Sequence, residues 1–137
     1  MISALQTNTQ PGDVVMIADG AITEGYLVKI STSASTGESR VKLPTDVADV
    51  TPFVALETAV DGGRVFCRPL TPKDSVRVYS DGAIVAGVTV YLSGTFGKVV
   101  TSTGAASDVY WSPGIAEETS VDGQLIRIRP CGRTISV

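Results

Sequence analysis

Histidine is absent from all 137 residues. Its absence removes the commonest general base, the usual activator of a serine or cysteine nucleophile and the commonest transition-metal ligand. Cysteine is scarce: Cys67 and Cys131 are too few for a disulfide framework and lack the Cys-x-x-Cys spacing of redox and zinc sites. Both therefore read as reduced, partly buried thiols. No stretch approaches the roughly 18 uninterrupted apolar residues of a membrane span. Residues 1–10 lack the basic segment and apolar run of a secretory leader, so the expectation is a soluble protein made in the cytosol, with no membrane partner. Eleven basic against 14 acidic residues leave a net charge of −3, and no global positive field exists to hold nucleic acid.

What is present is apolar and β-rich. Hydrophobic residues make up 43% of the chain, charged residues 18%, and mean hydropathy is +0.23. Such a chain must hide apolar surface in one core or in an assembly contact. Val/Ile-rich runs of four or five residues alternate with Asp-Gly and Pro punctuation, the signature of tight hairpins. Helical periodicity is confined to Asp46–Val50 and Glu117–Val121, each long enough for a single turn. The predicted class is all-β: a small barrel or sandwich of short antiparallel strands with little helix.

The chain is also a duplication. Asp19-Gly-Ala-Ile-Thr-Glu-Gly-Tyr-Leu-Val-Lys-Ile-Ser31 and Asp81-Gly-Ala-Ile-Val-Ala-Gly-Val-Thr-Val-Tyr-Leu-Ser93 share Asp, Gly, Ala, Ile, Gly, Val and Ser. Pro52 to Gly62 likewise aligns without gaps on Pro113 to Gly123, and Arg68-Pro69 falls on Arg129-Pro130. Two copies spaced by about 60 residues cannot form a solenoid and predict two similar packed lobes. The organisation is an N-terminal arm at 1–10 and a single β domain at 11–137. That domain holds repeats 11–71 and 72–130 and a short C-terminal tail, 131–137.

Candidate chemistry is sparse. Asp61 and Asp122 lie in Asp-Gly turns, where the side chain bonds nearby backbone, and the other acids show neither a calcium-loop nor a paired-carboxylate spacing. The glycines form no phosphate-binding motif. Neither Asp-Gly turn carries the lysine of a biotin- or lipoate-type carrier. The expectation is a protein that is no enzyme and has no catalytic residue, cofactor or metal. Interaction is the remaining role. In Leu125-Ile-Arg-Ile-Arg129 the isoleucines share one face and Arg127 and Arg129 the other; by alignment Val65 and Cys67 face the core, with Phe66 and Arg68 outward. With Arg64 and Arg133 these arginines make either a solvated, edge-protecting strip or a partner-binding one. Tyr110 and Trp111 are the largest anchors, for core or interface. Ile2 and Leu5 would anchor an arm, the alternative being a frayed terminus. A stacking platform of Trp111, Tyr110 and Tyr79 would instead fit a carbohydrate- or ligand-binding module.

Gly87-Val-Thr-Val-Tyr-Leu-Ser93 and Pro113-Gly-Ile-Ala-Glu-Glu118, set within the repeated order over roughly residues 11 to 130, resemble the small capsid decoration, or cement, proteins of tailed bacteriophages. The resemblance implies a non-enzymatic virion protein, synthesised in the bacterial host cytoplasm, that binds the capsid exterior and stabilises it. The implied partners are the major capsid protein and further copies of the chain, as a homotrimer or dimer. Another phage part, from tail, neck or baseplate, would share the all-β character. The longer Ser/Thr loop at 31–39 departs from the family pattern. If matched positions are scaffold, function belongs where the copies differ: 1–10, 31–39, Tyr110, Trp111, Arg127 and the residues after Pro130, Arg133 among them.

Overall fold

The computed structural model describes residues 12–33, 38–102 and 109–136. Among them are ten strands and no helix. The first repeat forms β1 (Val14–Ala18), β2 (Leu27–Ile30), β3 (Arg40–Lys42), β4 (Phe53–Ala55) and β5 (Arg64–Pro69), joined as a closed barrel in the order β1-β3-β2-β4-β5. β1 runs antiparallel to β5, from Val14 opposite Cys67 to Ile17 opposite Arg64, and parallel to β3. The second repeat forms β6 (Val76–Tyr79), β7 (Thr89–Leu92), β8 (Val99–Val100), β9 (Val109–Ala116) and β10 (Leu125–Ser136), in the order β6-β10-β9-β7-β8. That is the same circuit. Its closing contact, from β6 to β8, is reduced to a parallel bridge between Ser80 and Val99, where the Asp81 N–H donates to the Val99 carbonyl at 2.7 Å.

Repeated polar residues brace both lobes in the same way. The Asp61 carboxylate accepts from the Gly20 N–H and that of Asp122 from the Gly82 N–H, each at 2.8 Å, so one Asp-Gly turn of each repeat ties down the other. The Thr58 and Thr119 hydroxyls accept from the Glu24 and Ala86 N–H groups, both at 3.1 Å. Glu57 and Glu118 accept from the N–H groups of Phe66 and Arg127 at 3.1 and 3.0 Å. The Ser31 hydroxyl donates to Asp19 at 2.5 Å, and Ser93 repeats the contact to Asp81. Groups that would otherwise sit unpaired at the ends of short strands are thereby satisfied.

Two cores form, and the first lobe contributes to both. Val28 and Ala55 face inward with Met16, Val41, Val65 and Cys67, whereas their neighbours Leu27 and Val54 turn outward into the second lobe's core of Val76, Val78, Ile84, Val90, Leu92, Val99, Ile126 and Ile128. β2 and β4 are thus covered on both faces, which is why Leu27-Val28 and Val54-Ala55 break the apolar–polar alternation. Each of those two outward residues contributes about 2 kcal/mol to holding the lobes together. Tyr79 donates its N–H to the Gly25 carbonyl at 3.1 Å, Leu27 to that of Gly97 at 2.8 Å, and the Tyr26 and Tyr79 rings meet edge-on at 5.8 Å.

Three departures from the sequence expectation have local causes. Asp46–Val50 is a turn rather than helix, because the Asp49 carboxylate gathers the N–H groups of Thr45 and Asp46 and the Lys29 ammonium, at 2.8, 3.1 and 2.9 Å. Glu117 and Glu118 bend away from a helical turn toward Arg127, Arg129 and Arg77. The segment 131–137, read as a tail, continues β10 through a bulge between Pro130 and Arg133 as far as Ser136.

An apolar cleft and an open strand edge at the lobe junction

β9 and β10 extend past the second lobe and lie against the first. The Trp111 N–H donates to the Val47 carbonyl at 2.8 Å, and its indole N–H to the Thr51 hydroxyl at 2.9 Å, fixing the ring to the turn before β4. Gly132 lies so close beneath the indole that a Cβ there would sit 2.5 Å from Trp111 Cη2. Around this ring opens a cleft of about 510 Å³, walled by Val50, Thr51, Pro52 and Leu70 on one side and Pro72, Trp111, Pro113, Cys131 and Gly132 on the other. None of these side chains is charged, and three prolines give the walls little freedom to collapse.

The arginines separate into different environments. Arg68, expected to face outward, is instead locked into a two-pronged ion pair with Asp13 at 3.0 and 3.1 Å, its side chain 12% and the aspartate's 3% exposed. The cause is that an outward direction on β5 points toward the chain entering β1 and not toward water. Arg127 and Arg129 do face outward, but both grip Glu117, at 3.4 and 3.1 Å, and Arg129 also donates to the Lys73 carbonyl at 3.1 Å. The Ser75 hydroxyl, foremost, and then these arginines hold the Glu117 carboxyl below the usual carboxylate range. Arg133 is exposed and makes no ion pair among the described residues. Arg64 lies on the other lobe, so no continuous arginine strip forms.

Of the aromatic candidates, Tyr110 is buried, packed edge-on against Tyr91 at 6.1 Å, and so belongs to the interior rather than to an interface. Tyr79 packs on Tyr26, and Trp111 lies on the opposite face of β9 from Tyr110. The three rings form no common platform. Ile2, Leu5 and residues 34–37 of the Ser/Thr loop lie outside the described residues. Cys67 is buried, with its thiol pushed up to about 12 by desolvation, whereas Cys131 is exposed in the cleft. Among the described residues no cluster of acids and cysteines could hold a metal, and no helix is long and apolar enough to cross a membrane.

The cleft was missed from the sequence because its walls come from four separate segments. A signal was present: Trp111 and Gly132 have no counterpart in the first repeat, where Val50 and Thr71 stand at the matching places. A second small hollow, of about 390 Å³, is lined by Asp81, Ser93, Thr95 and Tyr110, but its acid–hydroxyl pair recurs in the first lobe as part of the scaffold.

The sequence matches no protein-family model and no curated protein. The fold is similar to that of the N base of the head fibre gp8.5 of bacteriophage phi29, with a TM-score of 0.65 and 19% identity, over 87% of this chain and 92% of that one.

Proposed function

We propose that this chain is a non-enzymatic structural protein of a tailed-phage virion, mounted on the outside of the head, where it braces the shell as a decoration protein. The observation that carries this reading is the extent of the fold match: nearly the whole of both chains, not one shared lobe, superimposes on the base of a head fibre. The chemistry agrees. Asp61, Asp122 and Glu117 are engaged in holding turns and arginines, and the sizeable cleft lined without charge is suited to protein contact rather than catalysis. Its partners would be the major shell protein and further copies of itself.

Purified protein added to heads that lack it should co-sediment with them and raise their melting temperature. Absence of both effects would overturn the proposal. Electron microscopy of the particles then decides location: density over the capsomers supports decoration, while density at one vertex or along the tail transfers the protein to the neck, baseplate or tail.

A further inference from the structure

β10 is covered on one side by β6 only from Leu125 to Ile128; from Arg129 onward, no described strand pairs with that side. β9 continues along the other side, with Arg133 opposite Ser112, Thr134 opposite Trp111 and Ile135 opposite Tyr110. The direction of the backbone groups follows. Because the Trp111 N–H is spent on Val47, Trp111 and Thr134 form a pair that exchanges no hydrogen bonds, and the Thr134 N–H and C=O point away from β9 into the open side. Cys131, Gly132, Arg133 and Thr134 are all exposed along this edge, which also forms a wall of the apolar cleft.

Unpaired edges invite strand addition, and chains ordinarily blunt them with proline, bulges or charge. Here Pro130 and the bulge protect only the start of the edge, leaving Thr134 beyond them. We infer that this edge accepts an extended segment of a partner protein as an added strand, with an apolar side chain in the Trp111 cleft and a neighbouring carboxylate on Arg133. The occupant's chemistry follows from complementarity: an uncharged cleft next to a cation that no described carboxylate satisfies. Main-chain bonds would supply affinity and the cleft and Arg133 the selectivity. A second copy is disfavoured as occupant, since pairing two β10 edges would set two Arg133 side chains on one ribbon.

The inference rests on the proposed attachment to the head and names its partner segment as belonging to the shell protein. Thr134→Pro is the discriminating variant. It deletes the N–H that faces the open side while leaving the β9 bonds intact, and the residue before it is already extended. Circular dichroism and melting should match wild type, while binding to undecorated heads weakens roughly tenfold or more; Thr134→Ala, which keeps the N–H, should bind as wild type. A photo-crosslinking residue at 134 should join a shell-protein peptide. Wild-type binding with an unaffected Thr134→Pro, or a crosslink only to another copy or to residues 1–10 of this chain, overturns the inference while leaving the head attachment standing. Failure of wild type to bind heads overturns both.

Discussion

The two lobes share their turn and brace residues, and their strands part company where β5 ends and β10 continues. Their braces agree within 0.1 Å for the Asp-Gly, Thr and Glu contacts, so the shared residues account for the shared circuit of strands. Where they diverge, the first lobe closes and the second opens. Phe53 stands opposite Pro69 where β5 ends; at the matching place Gly114 stands opposite Pro130, and β10 continues through a bulge to Ser136. One copy thus became a sealed barrel. The other kept the barrel's order but extended two strands toward its neighbour to build a cleft.

Gly114 is where that divergence is steepest. A Cβ there would lie 2.1 Å from the Arg129 carbonyl oxygen, and backbone on both sides cannot give way. Gly114→Ala should cost more than about 4 kcal/mol, enough to prevent folding of the second lobe. Phe53→Ala at the matched, half-buried site should cost about 1–2 kcal/mol. Urea unfolding of the two variants checks the contrast, and equal losses would show that the close approach of β9 to β10 imposes no constraint.

The next largest contrast concerns the matched arginines. Arg68→Ala leaves the Asp13 carboxylate, nearly sealed from water, without its guanidinium and should cost about 3 kcal/mol. Arg129→Ala removes a pair whose side chains are 45% and 25% exposed, and should cost less than about 1 kcal/mol. Thermal melts at low and high salt test this, since only the Arg129 contribution should fade with salt.

The all-β class, the duplication and the buried side of β5 and β10 were legible in sequence because each depends on short-range patterning. Cys67 and Ile128, predicted inward, are both fully buried. What was not legible depended on chain segments meeting. Arg68 carries the same alternation signal as Arg129, and only the position of Asp13 makes one a buried partner and the other a surface residue. The extension of β9 through Ser112-Pro113 escaped notice because proline ordinarily ends a strand, yet this proline is buried where the bulged partner needs no N–H from it. β3 was hidden for a different reason: Arg40-Val-Lys42 is short and follows a Ser/Thr-rich loop.

Glycines at matched turns separate local strain from lobe packing. Gly25 and Gly87 have φ of 80° and 89°, so alanine at either should cost about 1 kcal/mol for the left-handed backbone alone. A Cβ at Gly25 would also meet Leu125 Cδ2 at 2.7 Å and the Tyr79 ring at 3.0 Å, whereas one at Gly87 meets nothing within 4 Å. Gly25→Ala should therefore be worse by a further 1 kcal/mol or so. Because that excess lies at the lobe contact, it should vanish in a background carrying both Leu125→Ala and Tyr79→Ala, and its persistence there would place the strain within the first lobe.

The smallest contrast is Glu24, whose counterpart is Ala86. Burial raises the Glu24 carboxyl above its ordinary value of 4.5, and one of its oxygens, sealed from water, finds no hydrogen-bond partner among the described residues. A raised carboxyl means that the folded state prefers the protonated form. Its penalty is absent at low pH, grows as pH rises through 4.5 and is constant above the folded value. Glu24→Ala should therefore stabilise at neutral pH by no more than about 0.5 kcal/mol and have no effect at pH 3. Asp19 and Glu117 act with the opposite sign: hydroxyl donation from Ser31 and Ser75, respectively, lowers them from 3.8 and 4.5, so their stabilisation is present above those values and lost as pH falls through the folded ones. Wild type and Glu24→Ala should consequently share one acid-unfolding limb and separate only as pH rises past 4.5. A gain of equal size at pH 3 and pH 7 would mean that the second lobe's alanine is better for reasons of backbone preference, not because the first lobe's turn buries a charge.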